Sequence, residues 1–208
     1  KNWEWDITIN YSRIRNEVLA LAPGINSLYL GGFENSQIRA VVGQPYRTIY
    51  GTDWERDANG NVMIDDNGFP IASTDLVPLG NVDPDWIMGA GSNLRWKDLS
   101  FSFLFDIKHG GRMWNGTRGA IGYFGTAAET LDRNDSYIYE GVVKSTGQAN
   151  TTPVVRNQDW VVYNVGNGFS GPIVDNVENS GWVRLRTVTL SYSLTHLLNK
   201  TFIKGLEV

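Results

Sequence analysis

With 208 residues, 41% hydrophobic and 19% charged, the chain has the balance of a globular protein rather than a disordered one. Its net charge of -4 excludes non-specific nucleic-acid binding, which needs a basic footprint. Cysteine is absent, which removes disulfides, thiolate metal sites and cysteine nucleophiles together.

No run of about 18 apolar residues is present, so no transmembrane helix is encoded, a test that says nothing of transmembrane strands. Aromatic residues make up 12% of the chain and glycine numbers 23, a composition that leans all-β with tight turns. The chain starts at Lys1 without an initiator Met or signal peptide and stops inside a new apolar alternation. It reads as a piece of a longer protein.

The first element is "WEWDITINYS" (Trp3–Ser12). Trp3, Trp5, Ile7, Ile9 and Tyr11 alternate with Glu4, Asp6, Thr8, Asn10 and Ser12, and period two is the signature of a strand with one greasy and one wet face. A connection of more than seventy residues follows, 13–85, in which "QIRAVV" (37–42) and "YRTIY" (46–50) are candidate extra strands. The second clear strand is "WIMGAGSNLRW" (Trp86–Trp96), with Trp86, Met88, Ala90, Leu94 and Trp96 in phase. Only Lys97-Asp98 separates it from the third, 99–107, where Leu99, Phe101, Phe103, Phe105 and Ile107 share a face. That spacing predicts a two-residue hairpin turn.

A second long connection, 108–181, contains a Gly-rich stretch "GGRMWNGTRG" (110–119), read as a flexible loop entrance, and a strand candidate "DWVVYNV" (159–165). The fourth strand, 182–194, ends with Val188, Leu190, Tyr192 and Leu194 in phase. A helical turn at Leu197-Leu198 and a fifth strand starting within 204–208 close the chain.

The connections are lopsided: in an antiparallel up-and-down order both long ones fall at one end of the strands and both short ones at the other. Outer-membrane barrels alternate short periplasmic turns with long extracellular loops in this way. Ten residues at about 3.3 Å each, tilted by roughly 40°, also match the roughly 25 Å apolar height of such a barrel. The competing fold is a soluble β-sandwich, whose strands alternate identically. Two very long irregular loops would be out of place in it, unless they hide strands. An apolar face made by Trp3, Trp5, Phe101, Phe103, Leu190 and Tyr192 separates the two: outward in a barrel, packed on a second sheet in a sandwich.

The run "LGNVDPDWIMGAGSNLRWKDLSFSFLFDIKHGGRMWNGT" (79–117) resembles the C-terminal barrel of SusC/RagA-type TonB-linked outer-membrane proteins of Bacteroidetes. The shared positions are Gly80-Asn81, Pro84-Asp85-Trp86, Trp96-Lys97, Asp106, Gly110-Gly111 and Asn115. "NYSRIRNEVLAL" (10–21) and "WVRLRTVTLSYSL" (182–194) are similar to two further family strands, in the right order. The resemblance implies an all-β, antiparallel transmembrane β-barrel segment, four or five strands of a larger barrel, spanning 1–208. It further implies a Gram-negative outer membrane, lipid around the barrel, and a TonB complex acting through parts outside this chain. A SusD-like surface lipoprotein would be the partner, an oligosaccharide or peptide the substrate, and no catalysis or cofactor is implied. The alternative function is a soluble carbohydrate-binding module.

Candidate sites are few. "RDANGNVMIDDNGFP" (56–70) places Asp57, Asn59 and Asn61 as in a calcium loop, but Val62 stands where the sharp turn needs Gly and Gly68 where a bidentate Glu belongs. Asn59-Gly60 and Asn67-Gly68 read instead as hairpin turns. Glu4 and Asp6 form a carboxylate pair of the kind glycosidases use, against the plainer reading of a polar sheet face. His109 and His196 lack metal-ligand spacing, and neither a Ser–His–Asp set nor a phosphate loop is found, so no catalytic or metal residue is assigned. The aromatics of the long connections are the best contacts for a ligand or partner: Trp54, Trp114, Tyr123, Tyr137, Trp160 and Tyr163. The competing account is that large loops need small cores of their own.

Overall fold

The computed structural model describes residues 3–132, 134–155, 157, 161 and 166–195. The helical turn at 197–198, the strand start within 204–208, His196, Trp160, Tyr163 and most of 159–165 lie outside the described residues. In chain order the strands begin with β1 (Trp3–Ser12), β2 (Ser27–Gly32), β3 (Ser36–Val41), β4 (Thr48–Trp54), β5 (Met63–Ile64) and β6 (Ala72–Asn81). Next come β7 (Trp86–Trp96), β8 (Leu99–His109), β9 (Arg112–Trp114) and the short helix α1 (Gly116–Tyr123). The last are β10 (Ser136–Tyr137), β11 (Val142–Val143), β12 (Val154–Val155), β13 (Val177–Asn179) and β14 (Trp182–Tyr192). The chain divides into two compact units, one from 1–15, 84–110 and 180–208, the other from 16–83 and 111–179.

The first unit is one antiparallel sheet in the order β1-β7-β8-β14. Turn residues Lys97 and Asp98 join β7 to β8, and Lys97 takes the left-handed conformation with φ 53. The registers put the alternating apolar positions of all four strands on one side: Trp3 opposes Trp96, Leu94 opposes Phe101, and Phe101 opposes Leu190.

β14 reaches this arrangement by a bulge. Val183 and Leu185 are odd-numbered while Val188, Leu190 and Tyr192 are even, so an unbroken strand would send one set to the wrong side. The register shifts between Leu185, opposite Phe105, and Thr187, opposite Leu104. Arg186 is the extra residue, and its Nε lies 2.6 Å from Asp106 Oδ2. A bulge restores the phase and re-aims a side chain in the same step.

The second unit is built from the two long connections, which are not irregular loops. Its main sheet has the order β2-β3-β4-β6, and the pairs β9–β13 and β10–β12 are antiparallel. β5–β11 is a short parallel pair. Both candidate stretches at 37–42 and 46–50 contribute to β3 and β4. The remaining strands escape sequence periodicity because several are two or three residues long.

The Gly-rich stretch 110–119 is a correction: it holds β9 and the start of α1. Asn115 caps this helix, its Oδ1 accepting from the Arg118 N–H at 3.0 Å, which satisfies an otherwise orphaned donor. The core gathers Ala40, Ile49, Ile64, Val154 and Ile173. Gly51 admits Ile173 against β4, since a Cβ there would sit 2.3 Å from Ile173 Cδ1.

Parity makes a direct prediction for β14. Deleting Arg186 leaves Val183, Leu185, Val188, Leu190 and Tyr192 in unbroken alternation, so the sheet is expected to form. Inserting one alanine between Thr189 and Leu190 sends Leu190 and Tyr192 to the polar side and is expected to abolish folding of this edge. Amide exchange across β8 and β14 reads the difference.

Candidate functional site

The first unit carries two faces of opposite chemistry. On the apolar face, β1 presents two Trp, two Ile and a Tyr, and β8 an unbroken Leu-Phe-Phe-Phe-Ile row. Val183, Leu185, Val188, Leu190 and Tyr192 extend it across β14. Trp5 is 66% exposed and Leu190 66%, so no second sheet of the described residues covers them. No charged side chain interrupts the face, and the hydroxyl of Ser92 accepts from Trp5 Nε1 at 2.9 Å.

Aromatic rings gather at both ends of this face. At the short-turn end Trp3 stacks on Trp96 with centroids 5.5 Å apart. At the long-connection end Trp86 lies between Tyr11, at 5.9 Å, and His109, stacked in parallel at 5.0 Å. His109 Nδ1 is also 3.3 Å from Asp85 Oδ2.

The opposite face holds the sheet's charges. Arg95 reaches Glu4 at 3.5 Å, so the first member of the acidic pair weighed for catalysis is an ordinary cross-strand ion pair. The guanidinium of Arg184 lies 4.6 Å over the Trp182 ring, and Lys108 Nζ donates to Ser180 Oγ at 2.9 Å.

The aromatic candidates of the second unit separate by burial. Trp54 is 8% exposed, and its Nε1 donates to Asp175 Oδ2 at 3.0 Å. The ring thereby helps close the core of this unit. Trp114 is half-buried against the edge of Phe33, which in turn meets Phe169 edge-on. Phe33 was not among the sequence candidates, since a lone aromatic after two glycines carries no periodic signal. Tyr123 packs against Phe124 and Tyr137 against Tyr139, both with part of the ring in solvent.

The calcium-like stretch folds as two turns. Asp57 Oδ1 accepts from the backbone N–H groups of Asn59 and Asn61, and Asp65 Oδ1 from those of Asn67 and Phe69. Gly60 and Gly68 have φ of 88 and 91, which only glycine adopts freely. Among the described residues no group of three His, Asp or Glu gathers to hold a metal.

No family model matches the chain. In sequence it is similar to a TonB-dependent receptor of Formosa agariphila, 25% identical over 240 residues that cover 100% of this chain and 22% of that protein. A second TonB-dependent receptor of the same organism is 27% identical over 219 residues, 93% of this chain and 20% of the relative. In structure it is similar to the RagAB peptide transporter, with a TM-score of 0.61, 18% identity and coverage of 99% of this chain and 22% of that one. The RagAB peptide importer in its open-open state gives 0.57, with the same identity and coverage of 100% and 22%. The chain thus spans about a fifth of the length of these proteins.

The fold is mostly β with antiparallel sheets, and it matches part of these β-barrel structures. The chain is thus similar to part of SusC/RagA-like, TonB-dependent transporters, over about a fifth of their length.

The turn at Asp57 yields a pH prediction. Hydrogen bonds from the Asn61 side chain and then its backbone hold the Asp57 carboxyl below the usual aspartate range. A depressed folded pKa contributes stability above the ordinary value, and that contribution is lost as pH falls through the lowered one. Carbon-13 titration should place Asp57 below free aspartate, and Asn61→Ala should move it upward.

Proposed function

We propose that the chain is wall and external lobe of an outer-membrane importer, passing a peptide or oligosaccharide without performing chemistry on it. The observation that carries this reading is the four-strand apolar face, interrupted by no Lys, Arg, Asp or Glu and left uncovered by the described residues, backed by a face that holds the acidic and basic side chains of the sheet's strands. Burying such a face is the dominant favourable term available to the sheet, and lipid supplies the burial.

The aromatic rows support the same assignment. Trp96 and Trp86 are ten residues apart on β7, about 33 Å along the strand, and at roughly 40° of tilt that is about 25 Å of height. This equals the apolar band between the aromatic girdles of an outer-membrane barrel. The polar face then lines the lumen, and the second unit belongs to the extracellular side. A soluble sandwich would instead have buried Trp3, Trp5 and Leu190.

A SusD-like surface lipoprotein is the proposed partner of the external lobe, with energy from a TonB complex acting outside this chain. Trp54, Trp114, Tyr123, Tyr137, Trp160 and Tyr163 are the proposed contacts for partner or substrate, Trp54 being the most buried of those described.

Two arginine substitutions test the lipid assignment in the transporter that contains this chain. Ile9→Arg, at mid-band on the apolar face, is expected to cost about 2–4 kcal/mol and to deplete folded protein from the outer membrane. Thr8→Arg, one residue away on the polar face, is expected to assemble normally. Heat-modifiable migration of the extracted protein reads assembly, and normal assembly of Ile9→Arg sinks the proposal.

A further inference from the structure

A cavity of about 480 Å³ opens on the polar face of the first unit, at the long-connection end of the strands. Its walls are chemically mixed: Ile87, Leu104 and Trp182 are apolar, and Asp106, Lys108 and Arg186 are charged. The pairing registers place Lys108 between Ile87 on β7 and Trp182 on β14, with Ser12 of β1 beyond Ile87, so the ammonium's two immediate neighbours in the row are apolar.

The charges do not cancel. Asp106 is engaged by Arg186 at 2.6 Å. Lys108 donates to the neutral hydroxyl of Ser180, and among the described residues no carboxylate forms an ion pair with it. The cavity therefore keeps one cation in excess beside an apolar wall.

Gly89 explains why the space exists. It lies next to Asp106 in the register, and a Cβ built on it would meet only Asp106 Oδ1, at 3.8 Å. Its backbone is not in the left-handed region, so neither strain nor crowding demands glycine there. Glycine inside a strand weakens it and marks a place where something approaches closely. Among the described residues nothing comes closer to that position than Asp106.

We propose that this cavity binds a carboxylate borne on a branched aliphatic group, with Lys108 receiving the carboxylate and Ile87, Leu104 and Trp182 the aliphatic part. A mostly apolar pocket of a few hundred Å³ with a few convergent polar groups is the usual form of a small-ligand site. Two sources offer this chemistry, the C-terminus of a peptide and a short free fatty acid. The site rests on the reading of the polar face as lumenal.

The test uses the purified transporter in detergent and equilibrium binding of three compounds: N-acetyl-leucine, N-acetyl-leucinamide and 4-methylpentanoate. N-acetyl-leucine is expected to bind at least tenfold more tightly than its amide, and Lys108→Gln to erase that difference. Gly89→Leu, which fills the cavity while keeping the Lys108 charge, is expected to abolish binding while the protein still assembles. Tighter binding of N-acetyl-leucine than of 4-methylpentanoate assigns the peptide source, and the reverse assigns the fatty acid. Equal binding of acid and amide, or binding that survives Gly89→Leu, overturns the site. Such a failure in a protein whose Ile9→Arg variant does not assemble leaves the barrel reading intact, whereas normal assembly of that variant removes the barrel reading itself.

Discussion

Side-chain parity across the four-stranded sheet is the constraint on which the rest depends. A strand has two sides and no intermediate, so each pairing register either places all of its apolar residues with its neighbour's or none of them. Here β1 and β7, β7 and β8, and β8 and β14 all agree, and the last agrees only because Arg186 is bulged out. The result is an apolar surface that no described part of the chain covers. Such a surface is a liability in water and an asset in a bilayer. The bulge also serves the other side, because the residue it displaces neutralises Asp106.

The second unit solves a different problem, that of giving two connections of more than seventy residues a core without any disulfide. It does so by contacts between distant parts of the chain. Ile173 packs on Gly51 and its N–H donates to Thr52 O at 3.1 Å, and Trp54 is tied to Asp175. Lys144 reaches Glu55 at 2.8 Å, and β11 pairs with β5 beside them. Each tie joins the first connection to the second, so neither forms this core alone. Conformational entropy lost in ordering so much backbone is offset by burial of Ile64, Ile173 and Trp54 rather than by covalent closure.

Legibility followed the length and regularity of each element. β1, β7, β8 and β14 are ten or eleven residues long and alternate over most of their length, so their existence, the short hairpin and the greasy face of the first three and of the end of β14 were readable. The small strands of the second unit were not, because two or three residues contain less than two periods of any pattern. Aromatic type alone did not reveal that Trp54 is buried, since the same ring that stacks on a ligand also fills a core. Asn115 was legible only as a motif residue; that it caps a helix depends on α1 forming beside β13. Lys108 and Gly89 had no signal at all, being an ordinary lysine at a strand end and one glycine among 23.

By itself, then, the sequence determined which residues of the long strands share a side, because period two is a local property of extended backbone. It also determined the likeness to the SusC/RagA-type barrel, carried by short motifs in a chain about a quarter identical to two TonB-dependent receptors. Only the tertiary structure decided the phase of β14, the common core of the two connections and the cavity beside Lys108. Each of these is set by which distant residue stands opposite, and partners 74 to 121 positions away leave no periodic trace in the chain.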